Sequence, residues 1–195
     1  MTDIDRAAEA IRSGELVVYP TETVYGLGAD ALDADAVERA FEAKGRPRSN
    51  PMSLGVPDVE TAAKYVDPTE RERAFMQEFL PGPATVVCER RESVPDVLTA
   101  GKDRVGVRVP DHELALELLD AVAPTPITAT SANVSGRASV LRSDDLDEEI
   151  RGDAAVVLDG GETAGTESTV VDVSDGTIHR RGAMADEIEA WLDEH

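Results

Sequence analysis

The sequence holds a single cysteine, Cys88, which excludes an internal disulfide and any cysteine-rich zinc site. Cys88 lies in the apolar run ATVVCER, so it reads as a packed strand residue rather than a reactive thiol. Histidine is scarce too: His112, His179 and His195 show none of the paired spacings of a zinc ligand set, and no metal-ligating residues are expected. Aromatic residues make up 4%, leaving few rings to stack against bases. Lysine is limited to Lys44, Lys64 and Lys102, and every other basic residue is an arginine. No apolar run approaches the length of a membrane span, and the opening MTDIDRAAEA is too acidic and polar for a signal peptide. The expected location is therefore the cytoplasm, with no membrane partner.

What the sequence has in excess is negative charge. Forty acidic residues against 19 basic ones give a net charge of −21. Such a field repels polyanions at long range, and it suits a salt-rich cytoplasm where self-repulsion is screened within a few ångströms. We read it as the solvated surface of a halophile's protein. Against that background, clusters of basic residues become informative. The length of 195 residues, with 41% hydrophobic and 30% charged, fits one domain over residues 1–195.

Periodicity predicts a mixture of helices and strands. Ile4, Ala7, Ala8 and Ile11 mark a helix from about Asp3 to Ser13, stopped by Gly14. The run Leu16-Val17-Val18-Tyr19 reads as a buried strand, and TETVYGLGAD as a loop before a helix over Ala34 to Lys44. Met52 to Val56 is a short strand, and two helices cover Asp58 to Leu80. Further strands are expected at 84–88, 105–109, 127–130, 154–158, 169–173 and 177–180. The last two are joined by the turn Ser-Asp-Gly. Asp111 is expected to cap a Leu- and Ala-rich helix, and Met184 to Asp193 to form a closing amphipathic one. A hairpin among alternating helices and strands implies a mixed α/β sheet rather than a purely parallel one.

General catalytic motifs fail. Gly160 to Thr169 has glycines but no lysine, so no phosphate-binding G-x-x-x-x-G-K-[ST] is present, and no G-x-S-x-G elbow supports a serine hydrolase. Polar chemistry collects instead in loops that follow strands, where open α/β sheets bind ligands. These are Pro20 to Gly28, Lys44 to Pro51, Arg104 to Pro110, Thr130 to Gly136, and Glu167-Ser168-Thr169 with Arg180-Arg181. Alternation puts Arg104, Gly106 and Arg108 on one strand face. Cations beside hydroxyl and amide groups suit phosphate and carboxylate ligands. Taken singly, each cluster reads equally well as surface: Arg46 and Arg48 as solvated loop charges, Ser131 and Asn133 as turn formers. The residues alone support an anion-binding α/β domain.

Together, in this order, the segments resemble the YrdC family of threonylcarbamoyl-adenylate synthases. PTETVYGLGADA, KGRP with a following Asn-Pro, PGPAT, VRVP, SAN and ESTVVD followed by arginine carry the resemblance over nearly the whole chain. It implies a YrdC-like twisted open sheet flanked by helices, with a central anion-binding cavity. It further implies conversion of L-threonine, bicarbonate and ATP, with Mg2+, to threonylcarbamoyl-AMP and pyrophosphate. A transfer enzyme would then use the product to modify tRNA; direct tRNA binding is left open. The family's lysine-arginine-serine-asparagine signature would fall on Lys44, Arg46, Ser131 and Asn133 as catalytic residues. Thr23, Arg108, Ser131 and Ser168 would hold threonine, and Lys44, Arg46, Asn50, Asn133 and Arg181 would hold ATP. Gly55 stands where many relatives carry a histidine, and Arg-Ala-Ser-Val-Leu follows SANVSG in place of a Ser-Pro-Thr sequence. A lid from the extra C-terminal domain of the longer family branch is expected to be absent or replaced. The alternatives are a paralogue of different activity and a non-catalytic RNA-binding module.

Overall fold

The computed structural model describes residues 2–195. Helix α1 (Asp3–Arg12) starts with a reciprocal cap: the Thr2 hydroxyl accepts from the Asp5 N–H, and the Asp5 carboxylate accepts from the Thr2 N–H. Strand β1 (Leu16–Tyr19) is buried along its whole length. It leads through the Thr21–Tyr25 loop to β2 (Gly26–Gly28), which returns antiparallel to it. Helix α2 (Ala34–Lys44) is capped by the Asp33 carboxylate and stopped by Gly45, whose left-handed φ of 55° suits glycine.

Strand β3 (Ser53–Gly55), helices α3 (Val59–Ala62) and α4 (Glu70–Phe79), and strand β4 (Ala84–Glu89) follow. A short α5 (Asp96–Thr99) precedes β5 (Arg104–Arg108), then come α6 (Glu113–Val122) and β6 (Ile127–Ser131). The chain continues through α7 (Glu148–Asp153), β7 (Ala154–Val157), the hairpin β8 (Thr169–Asp172) and β9 (Thr177–Arg180), and α8 (Ala185–Glu194).

The strands form one nine-stranded sheet in the order β7-β1-β2-β6-β3-β5-β4-β8-β9. Pairings β1–β7, β3–β5 and β4–β8 are parallel and the rest antiparallel, so the sheet is mixed as expected. Helices α1 and α6 bury Ala7, Ile11, Leu118 and Leu119 against Val17, Tyr19 and Ile127. The larger core joins α2, α4 and α8 to the rest of the sheet through Phe41, Phe75, Met76 and Trp191. Cys88 is fully buried within it, and burial pushes its thiol pKa up, so it is packed and inert. No helix among the described residues is long and apolar enough to cross a membrane.

Three expectations change. The Gly26–Gly28 segment is a strand rather than loop, because its glycines answer to close packing and not to strand propensity. A Cβ on Gly26 would lie 2.8 Å from Tyr19 Cζ, and one on Gly28 would lie 3.0 Å from Ile127 Cδ1. The residue preceding α6 is His112, with no side-chain cap, so Asp111 does not cap that helix. Helices α5 and α7 are additional; with four and six residues they are too short to show a helical period in sequence.

Candidate active site

Sheet pairing assembles the site. Antiparallel β2 and β6 put Ser131 opposite Gly26, three residues along the chain from Thr23. Parallel β3 and β5 bring Arg108 beside Gly55, and β4 with β8 sets Thr85 next to the Ser168–Thr169 step. Between them opens a cavity of about 700 Å3. Arg104, Gly106 and Arg108 all line it, as the alternation of β5 predicts. Gly106 keeps this wall low: a Cβ there would come within 2.3 Å of Ser53 Oγ.

One end of the cavity is a closed hydroxyl and guanidinium network. Arg108 is 7% exposed, and its Nη2 donates to Thr23 Oγ1 at 2.9 Å and to Glu22 Oε1 at 2.7 Å. Its Nη1 donates to the Gly82 carbonyl at 3.3 Å. The Thr21 hydroxyl donates to the Val24 carbonyl at 2.6 Å, so in the 2.9 Å contact between Thr21 and Thr23 the proton comes from Thr23. Thr23, which already accepts from Arg108, therefore keeps one lone pair free. Ser168 shares a 2.9 Å hydrogen bond with Thr85 and accepts from Arg180 Nη2 at 3.0 Å. Tyr19, also in the wall, has its phenol pKa pushed up to about 12 by burial and stays neutral.

Three further cations, Arg46, Lys102 and Arg180, line the space. Arg46 is held by its donors to the Asn50 and Pro51 carbonyls, both at 2.9 Å, and Asn50 itself lines the cavity. Burial and then the like charge of Arg180 lower the Arg46 pKa, a repulsion that an anion between the two would relieve. Arg180 is steadied by Glu167 at 3.0 Å. Among the described residues no group of three or more His, Cys, Asp or Glu side chains could hold a metal ion.

Of the residues singled out from the sequence, Thr23, Arg46, Asn50, Arg108, Ser131 and Ser168 lie together in this wall. Lys44, Asn133 and Arg181 lie outside it. Lys44 is buried beneath the Ser131–Asn133 loop, where its Nζ donates to the backbone carbonyls of both residues. The Asn133 amide donates to the Val134 and Arg137 carbonyls within its own loop, and its Oδ1 is buried without a partner. Arg181 points outward and pairs with Asp186 at 2.7 Å and Glu189 at 3.1 Å. Its neighbour Arg180 is the one that reaches the cavity. Arg180 ends β9 and bonds Ser168, whereas Arg181 precedes the acidic start of α8, a difference of direction that the sequence does not carry. Arg48 is a solvated loop charge paired with Glu38 at 2.7 Å, and Gly55 is buried away from the lining. Sequence reasoning set aside His179, which the fold places in the wall.

The profile of the Sua5/YciO/YrdC family, described as "Telomere recombination", matches residues 9–182. The chain belongs to this family. It is 45% identical to the threonylcarbamoyl-AMP synthase of Pyrococcus abyssi, the match covering 96% of this chain and 56% of that protein. It is 38% identical to the threonylcarbamoyl-AMP synthase of Bacillus subtilis, covering 97% of this chain and 56% of the relative. Among solved structures, Pyrococcus abyssi Sua5 complexed with L-threonine superposes with a TM-score of 0.93 at 42% identity. That match covers 100% of this chain and 59% of the other. The chain thus spans a little over half the length of these relatives.

Proposed function

We propose that this domain synthesises threonylcarbamoyl-adenylate from L-threonine, bicarbonate and ATP, releasing pyrophosphate. The observation that carries the reading is that one cavity gathers arginine guanidinium groups with threonine and serine hydroxyls. Arg108 is buried against the Thr23 hydroxyl, and Arg180, the like charge that faces Arg46, bonds the Ser168 hydroxyl in the same space. Kinship with threonylcarbamoyl-AMP synthases supports it, as does the relative that binds L-threonine.

On this reading Arg108 anchors the α-carboxylate of threonine, since a guanidinium matches a carboxylate's geometry and charge. Thr23 accepts a hydrogen bond from the substrate, and Ser131 and Ser168 complete a small pocket that reads hydroxyl and methyl together. The threonine amine attacks the bicarbonate carbon, water leaves, and an N-carboxylate remains. An oxygen of that carboxylate attacks the α-phosphorus of ATP; the bond from the α-phosphorus to the bridging oxygen breaks, and pyrophosphate departs with its electron pair. Arg46 and Arg180, with Asn50, neutralise the phosphate charge, and fixed charges of this kind lower the barrier without a protein nucleophile. On this reading magnesium comes with the nucleotide. The product would pass to a separate enzyme that transfers the threonylcarbamoyl group to tRNA.

The test is isotopic. With 13C-bicarbonate, threonine and ATP, mass spectrometry should find threonylcarbamoyl-AMP bearing the labelled carbon. Unlabelled AMP alone, or no nucleotide product, would contradict the proposal.

A further inference from the structure

Of the chain's few lysines, Lys44 is the one the fold buries, with 1% exposure at the C-terminal end of α2. A buried ammonium is strongly unfavourable unless its donors are satisfied. Here two of the three N–H donors go to a single loop. Nζ donates to the Ser131 carbonyl and, at 2.7 Å, to the Asn133 carbonyl. The lysine's own backbone carbonyl accepts from the Ser135 N–H at 2.8 Å, so one residue holds the loop at both ends. The ammonium does not line the cavity, whereas Ser131 does. A phosphate contact could come only from the third N–H of a side chain that is buried and outside the cavity lining.

We propose that Lys44 is a positioning residue: its ammonium fixes the 131–135 loop and so presents Ser131 to the threonine end of the cavity, without touching the ATP phosphates. The assignment of ligands to the two ends rests on the synthase reading; the clamp on the loop does not.

The charges around Lys44 give the clamp a pH range. Burial, then the positive charge of Arg46, lowers its pKa to about 8, while the carboxylates of Glu167 and Asp147 oppose that shift. An unfolded chain keeps the lysine protonated to about pH 10.4. Between these values the folded protein holds a neutral amine, whose hydrogen bonds to carbonyls are weaker than those of an ammonium. The loop should loosen there. Global stability should not fall from this group in the same window, because the unfolded state then binds more protons and the linkage term favours the native state as pH rises. A local loosening without global loss is the signature of a clamp.

The experiment compares the parent protein with Lys44→Met, measuring L-threonine and ATP dissociation constants by calorimetry and loop amide exchange by mass spectrometry. The expected result is a threonine constant raised roughly tenfold, equivalent to about 1.4 kcal/mol, with that for ATP changed less than about twofold. Amides of residues 132–135 should exchange faster. From pH 7 to pH 9 the parent's threonine affinity should weaken more than the variant's, since the amino group of free threonine titrates alike in both. A loss in ATP affinity equal to or larger than that for threonine would make Lys44 a phosphate ligand and overturn the proposal. Unchanged loop exchange would overturn it as well. Should Lys44→Met fail to fold, the parent decides: loop exchange, corrected for its intrinsic pH dependence, must rise through about pH 8, and a flat profile refutes the clamp. Should the parent bind no threonine, the synthase reading fails, and the exchange comparison still decides what Lys44 does.

Discussion

Arg108, in the cavity wall, and Glu22 form an ion pair, Nη2 to Oε1 at 2.7 Å, while the second carboxylate oxygen of Glu22 is buried without a partner. The arginine that would receive the substrate's carboxylate is thus already held by an internal one. Removing it strips a largely enclosed carboxylate of its counter-ion. Arg108→Ala should cost about 3 kcal/mol in urea unfolding, the lower end for breaking a buried pair. Adding Glu22→Gln should recover part of that stability, yet threonine binding should stay lost in both variants. Equal stability of the single and double variants would show that the pair is not coupled.

Arg180, the last residue of β9, and its neighbour Arg181 provide a sharp contrast. Arg180→Ala and Arg46→Ala should each weaken ATP binding by roughly 1.5–3 kcal/mol, the range for a hydrogen bond to a charged group. Arg181→Ala removes only exposed pairs with Asp186 and Glu189, so its effect on ATP affinity should be within a few tenths of a kcal/mol. Nucleotide titrations of the three variants check this. A loss at Arg181 as large as at Arg180 would place the nucleotide elsewhere.

Much of this architecture was legible in the sequence because it follows from periodicity and capping. The helix over Ala34–Lys44 and the strand over Leu16–Tyr19 match the structure at both ends. Strand β2 was not legible: a Gly-Leu-Gly run has no strand signal, and its reason for being glycine lies in Tyr19 and Ile127, distant from it or on the neighbouring strands. In the site, residue types pointed to anion binding, and six of the named residues do line one cavity. What the sequence did not show is direction. Whether Lys44 points at ligand or at its own loop, and whether Arg180 or Arg181 turns inward, depends on contacts made across the sheet.

The glycine of β2 invites a stability test. Gly26→Ala would place a methyl 2.8 Å from the Tyr19 ring, which is 3% exposed and has little room to move. Overpacking of this kind should cost about 1–3 kcal/mol. Thermal melting against Gly152→Ala, where nothing lies within 4 Å of an added Cβ, isolates the packing effect from the change in backbone freedom. Similar melting temperatures for the two variants would mean that β2 and β1 can separate at little cost.

The acidic surface has its own consequence. With a net charge of −21, self-repulsion opposes the compact state, and added salt screens it. The melting temperature should therefore rise with potassium chloride concentration. Exposed pairs such as Arg142–Glu162 weaken in the same titration, but each contributes little. A melting temperature that is flat or falls with salt would remove the halophile reading of the composition.

On the proposed reading, one cavity joins threonine, bicarbonate and ATP. Initial rates of pyrophosphate release test it most directly, measured with each of the three substrates omitted in turn and with serine or valine replacing threonine. The account predicts release only with all three present. Serine should be a weak substrate because it loses a methyl, worth roughly 1–3 kcal/mol in a fitted pocket. Valine should be weaker still, because it leaves the hydroxyl-reading groups unpaired. Pyrophosphate release that is independent of threonine or bicarbonate, or valine matching threonine, would contradict it.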